Sequence, residues 1–313
     1  MKGIQRFEHY LNEIESKLHA LKSDTPVGEQ MLHSNIRTPF FMLESLARIY
    51  GSISNNPWFD KLKDQSKAVE DAIGVADHYV MGYATLSTVP DIPTDVLESV
   101  KQHIPEAYHA LESLMSEKNW LNGKRIKKIR KKLTQVEWLK EKKEIQALYQ
   151  FFEKEMDETI AFYQQNPVFT DMENHVHELR RKLRWISIYA TALRGAVQLT
   201  ETGHIDPALE KYQTATIVTS PYNQLPEEGD HKYVLLFDKK RFYALSWMIA
   251  ELGNIKDLGL LNEMIEESGH THHEGWNPPE KMNEALLGKA TEICKCFFEE
   301  NHLAQLIYGI GKN

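Results

Sequence analysis

Along most of this chain, apolar residues recur three and four positions apart, the spacing that turns one side of a helix toward a core. The pattern predicts helices over residues 1–21, 30–50, 60–87 and 94–116, then a long basic segment from 124 to about 163. "QQNPVFTD" (164–171) breaks it, because Asn166-Pro167 stops a helix and Thr170 or Asp171 can cap the next. We place the middle of the molecule there, giving halves of 1–165 and 166–313. From 172 to 201 the stripe Val176, Leu179, Leu183, Ile186, Ala190, Leu193, Val197 steps regularly by three and four. "TATIVTSPYNQLPEEGDHKYVLLF" is β-branched and broken by Pro and Gly, so residues from about 201 to 238 read as a small hairpin or irregular insert. Helix resumes over 238–268, and "GHTHHEGWNPP" leads to a last helix from 280 to about 309. The expected fold class is all-α, with two antiparallel helical bundles and one insert.

The two halves share short patterns. Leu32-His33 with Ile36-Arg37 matches Val176-His177 with Leu179-Arg180 at an offset of 143 to 144. "DAIGVADHYV" (71–80) matches "AELGNIKDLG" (250–259), pairing Gly74 with Gly253 at an offset of 179. One insertion the size of the 201–238 segment reconciles both matches, which predicts a duplicated four-helix unit with pseudo-symmetric halves.

Composition narrows the class. With 42% apolar and 26% charged residues among 313, the chain can bury a core and stay soluble. Its longest apolar runs fall far short of the ~20 residues of a membrane span, and its first residues lack a signal-peptide core. A cytoplasmic protein with no membrane partner is expected. Cys294 and Cys296 read as a buried reduced pair.

The net charge of −8 argues against nucleic acid as a general partner, yet it is uneven. Residues 122–143 hold ten Lys/Arg and two Glu, a local +8 that leaves −16 for the rest. Lys124, Arg125, Lys127, Lys128 and Lys131 there repel one another, and a polyanion would relieve that repulsion. A solvated basic face balanced by acids elsewhere is the plainer account. A second concentration is "HVHELRRKLRW", where His177, Arg180, Arg181 and Arg184 fall within roughly 100° on a helix, well away from the apolar stripe. Arginine suits phosphate because its planar fork offers paired, permanently charged donors. An ordinary solvated helix flank is again the alternative.

Catalytic signatures are missing: no phosphate-binding glycine loop, no Gly-x-Ser-x-Gly elbow, no His-Glu-x-x-His. Glu-x-x-His occurs at Glu228/His231, Glu267/His270 and Glu299/His302; two such pairs could build a di-iron bundle, but only the last sits within an expected helix. His270, His272, His273 and Glu274 crowd one loop, where a metal ion competes with a plain polar loop as explanation.

"VHELRRKLRWISIYATAL" followed by "AELGNIKDLGLLNEMI" resembles the two signature helices of the CHAD (conserved histidine α-helical domain) family, a His-x-x-Arg helix with further basic residues and a later Leu-Gly-x-x-x-Asp helix, here Leu252, Gly253 and Asp257. The chain departs from that pattern at Trp185, Ile186 and Ser187, where family members keep adding charge. The resemblance implies two pseudo-twofold four-helix bundles that bind inorganic polyphosphate through a basic surface, without catalysis or cofactor. It implies His177, Arg180 and Arg184 as binding residues, with His33 and Arg37 as their first-half equivalents. A helical scaffold that docks an acidic protein partner through a basic patch is the competing function.

Overall fold

The structure, a computed structural model, describes residues 3–22, 25–88, 92–203, 206–226, 229–267 and 280–312, side chains between 259 and 283 excepted. The described chain is mostly helical, with one small three-stranded sheet. It divides into two compact units, one formed mainly by residues 2–138, the other by 139–259 and 279–313. That boundary lies ahead of the 165/166 midpoint read from the sequence, so the helix before the Asn-Pro break belongs to the second unit.

In the first unit, α1 (Gly3–His19), α2 (Val27–His33), α3 (Arg37–Ser54), α4 (Trp58–Leu86), α5 (Thr94–Glu117) and α6 (Lys124–Leu133) pack as a helical bundle. α1 buries Phe7, Tyr10, Leu11, Ile14 and Leu18, a three-and-four stripe. Phe7, Tyr50, Phe59 and Trp138 form an aromatic cluster with ring centroids 5.2–6.2 Å apart. The helix expected over 30–50 is two helices. α2 stops at His33, Asn35 turns the chain at φ 54°, and α3 opens at Arg37 with Pro39 in its first turn. Proline is tolerated there because a first-turn N–H has no partner within the helix.

The long basic helix is also divided. α6 ends at Leu133, whose carbonyl accepts from Trp138 Nε1 at 3.3 Å, and α7 (Glu141–Gln165) starts afresh after extended Lys140.

The second unit packs α7 against α8 (Glu178–Ala192) and a sheet. Asp171 caps a wide π turn over 172–177 by accepting from the Asn174 N–H at 2.7 Å, and that turn runs directly into α8. α8 is shorter than the apolar stripe predicts. Arg194 and Gly195 take φ of 44° and 84°, and Val197 opens strand β1 (Val197–Thr200) instead of another helical turn. Val197 is buried either way, so the stripe could not show where the helix ends.

Of the two expectations for residues 201–238, the irregular insert fits and no hairpin forms among the described residues. β1 pairs in parallel with β2 (Tyr233–Asp238), across short turns at 207–212, at α9 (Ala215–Val218) and at 221–223. β2 pairs antiparallel with β3 (Ile307–Lys312). α10 (Lys239–Glu267) follows β2, and α11 (Glu280–Glu299) ends ten residues short of the expected 309. Residues 307–312 alternate in burial, and a Cβ at Gly311 would press on the Leu236 side chain at 2.9 Å.

Candidate functional site

α8 divides its residues as the sequence suggests. Val176, Leu179, Leu183 and Ile186 are fully buried, and the cations lie on other faces. The Arg180 guanidinium lies across Gly253 of α10, where a Cβ would come within 3.0 Å of Nε, and Nε donates to the Ile249 carbonyl at 3.2 Å. A side chain at 253 would oblige the guanidinium to shift, so glycine suits this seat.

Lys256, three residues beyond Gly253 and only 17% exposed at its side chain, joins the cluster. Burial pushes its pKa down, and Arg180 and Arg184 press the same way against the pull of Asp257 and Glu173. Its nearest carboxylate contact is distant: Asp257 stands 3.9 Å away and is itself 71% exposed. Lys256 lies inside the "AELGNIKDLG" motif, but nothing local in that motif places it beside the α8 cations.

His177 closes one end. Its Nδ1 is buried without a hydrogen bond and sits 3.7 Å from Glu173. Burial lowers its pKa, with Lys256, Arg180 and Arg181 adding to the effect and Glu173 opposing it. Arg181 points further out and pairs with Glu178 at 2.6 Å. Arg180, Lys256 and His177 thus form a partly desolvated group, in which Asp257 acts on Arg180 and Lys256, and Glu173 on His177.

An arginine of the first unit also rests on a glycine, in different charge surroundings. Arg37 lies on Gly74, where a Cβ would meet its guanidinium at 2.7 Å. Here Nε donates to Glu70 at 2.7 Å and Nη1 to Asp77 at 2.9 Å. Glu70 is nearly buried, so Arg37 is held as a structural ion-pair partner. His33 sits exposed at the end of α2 rather than on a continuous helix with Arg37.

α6 presents its cations on three faces. Arg130 is committed to α1, reaching Glu8 at 2.9 Å, Glu15 at 2.8 Å and Asn12 at 2.6 Å. Lys124, Lys127 and Lys131 share one exposed line, and Arg125, Lys128 and Lys132 share another. Ile126, Ile129 and Leu133 anchor the helix.

Other candidates resolve more simply. α11 ends at Glu299, so His302 lies beyond the helix; it is buried and bonds Glu300 rather than Glu299, at 2.8 Å. Glu228, His270, His272, His273 and Glu274 lie outside the described residues. No group of three metal-ligating side chains converges among the described residues, and among them no helix is long and apolar enough to cross a membrane. Cys294 is buried and its thiol pKa pushed up by burial, but Cys296 is exposed, which corrects the expected buried pair. No family model matches the chain, and no curated protein or solved structure matches it.

Proposed function

We propose that this chain binds inorganic polyphosphate or a similar polyanion without transforming it, and that it is a divergent CHAD-like protein built from a duplicated four-helix unit. The duplication is supported by one repeated local device: in each unit the arginine of the first shared pattern rests on the glycine of the second. The single observation that carries the binding reading is the charge around those two arginines. Glu70 and Asp77 hold Arg37, whereas the positions at the same distances from Gly253 are Ile249 and Lys256. The two-carboxylate clamp of one unit gives way in the other to an apolar residue and an added cation, with the exposed Asp257 as the carboxylate that acts on both Arg180 and Lys256. Partly buried cations of one sign are costly together, and a phosphate chain would add opposite charge through paired, charge-assisted bonds. His177, Arg180, Arg184 and Lys256 form this site. Lys124, Lys127 and Lys131 offer a separate, solvent-facing track to the same class of ligand.

The test is retention of long-chain polyphosphate by the purified protein across a salt series. Retention should weaken steadily with salt, as counterion release requires, and Arg184→Ala with Lys256→Ala should reduce it at least tenfold. Failure to retain polyphosphate at low salt, with capture of a single acidic protein instead, would favour the scaffold reading.

A further inference from the structure

The second exposed line of α6 faces a cleft. Arg125, Lys128, Ile129 and Lys132 form one wall, and Trp58, Lys61 and Gln65 from the first turns of α4 form the other, with Asn56 and Pro57 at one end. The spacing is i, i+3, i+7 along both helices, so each wall is a single helix face. The cleft encloses about 390 Å³ and lies wholly within the first unit.

Its lining holds four cations and no carboxylate. The neighbouring acids Asp60 and Asp64 do not line it and lie 3.8 and 3.4 Å from Lys63. Arg125 is set in place by the Lys118 carbonyl at 2.9 Å and by Gln65 Oε1 at 3.2 Å. Among the described residues Lys61 and Lys128 make no ion pair, and Lys132 reaches only the Gln135 amide oxygen at 3.3 Å. Such a lining selects an anion of several charges.

A bare phosphate chain would use the lysines and ignore the rest. Trp58 is half-buried and lines the cleft, and the carboxamides of Asn56 and Gln65, whose oxygens accept from the Trp58 backbone N–H and from Arg125, leave their NH2 groups as donors. An aromatic face beside cations suits a planar base carried on phosphate, because every base can stack on it. The volume falls in the range of small-ligand pockets, about 300–1,000 Å³.

We propose that the α4–α6 cleft binds a nucleotide, with its phosphates on Lys61, Arg125, Lys128 and Lys132 and its base against Trp58. This goes beyond the polyphosphate reading and stands apart from the Arg180 cluster.

The test is calorimetry on the full chain with ATP, adenosine and inorganic tripolyphosphate at one ionic strength. ATP should bind about tenfold more tightly than tripolyphosphate, the worth of one base–aromatic stack. Trp58→Leu should reduce ATP to the tripolyphosphate level while leaving tripolyphosphate unchanged, and Trp58→Phe should restore most of the difference. Lys128→Glu with Lys132→Glu should abolish both, with the melting temperature showing that the variant is folded. Arg184→Ala with Lys256→Ala should leave ATP binding intact, so failure of the polyphosphate reading would not touch this one. Equal affinity for ATP and tripolyphosphate, tighter binding of a single-stranded oligonucleotide than of ATP, or a Trp58→Leu variant that still prefers ATP would each overturn the proposal.

Discussion

Arg37 and Arg180 occupy the same kind of seat, a guanidinium laid over a glycine of a neighbouring helix, yet they do opposite electrostatic work. Around Gly74 the positions four residues before and three after are Glu70 and Asp77; around Gly253 they are Ile249 and Lys256. Arg37 thereby closes an ion-pair triad, whereas Arg180 satisfies one N–H on a backbone carbonyl, feels Asp257 without a direct ion pair, and has Lys256 as a neighbour. The glycine settles where each arginine lies. The residues one turn either side of it decide whether two carboxylates clamp that arginine, as they do Arg37, or not, as at Arg180.

The most severe way to break this contrast is to transplant the clamp. Ile249→Glu with Lys256→Asp would place two carboxylates beside Arg180 and change the local charge by −3. Polyphosphate affinity should fall on the order of 100-fold, with a shallower salt dependence, because phosphate contacts are lost. Thermal stability should hold or rise, since the variant supplies the partners that Arg37 already has. A stability loss without an affinity loss would show that Arg180 is as structural as Arg37.

The matched change in the first unit is Arg37→Ala. Removing one partner of a largely buried pair costs about 3–5 kcal/mol when both groups are fully buried. Arg37 is 30% exposed at its side chain, so roughly 2 kcal/mol is expected in denaturant unfolding, with polyphosphate retention unchanged. Adding Glu70→Gln should recover much of the loss, because the stranded charge is what costs.

Much of this contrast was legible in the sequence, and its outcome was not. The paired patterns Leu32–Arg37 and Val176–Arg180 marked both arginines, and the shared glycines marked both seats. What makes Arg37 unavailable lies 33 and 40 residues away on α4, where no local pattern of charge around Arg37 can register it. Lys256 was hidden for the same reason: it belongs to α10 and joins the α8 cations only through packing. The helices were readable because each repeats its apolar spacing over several turns. The sheet was not, since its strands are four to six residues long and come from three distant segments. Val197 satisfies a helical stripe and a buried strand equally well, so only the positive φ at Arg194 and Gly195 separates the two.

The smallest expected effect is the most specific to the second unit, because it depends on the sign of one titration. Burial and neighbouring cations lower the His177 pKa below its ordinary 6.5, so the ring is neutral at pH 7 in the free protein. A bound phosphate chain favours the imidazolium, and binding must then take up a proton. Affinity for polyphosphate should therefore rise a few-fold, in the manner of one added charged donor, as pH falls from about 7.5 toward 6 at constant ionic strength. Folding stability should move the other way. The unfolded chain binds protons at His177 and His302 more readily than the folded one, so stability declines as pH falls below about 6.5. His177→Asn should flatten the binding profile over this interval while Arg37→Ala leaves it unchanged. If the His177→Asn variant kept the full pH dependence, the histidine would lie outside the binding surface and the cluster would reduce to Arg180, Arg184 and Lys256.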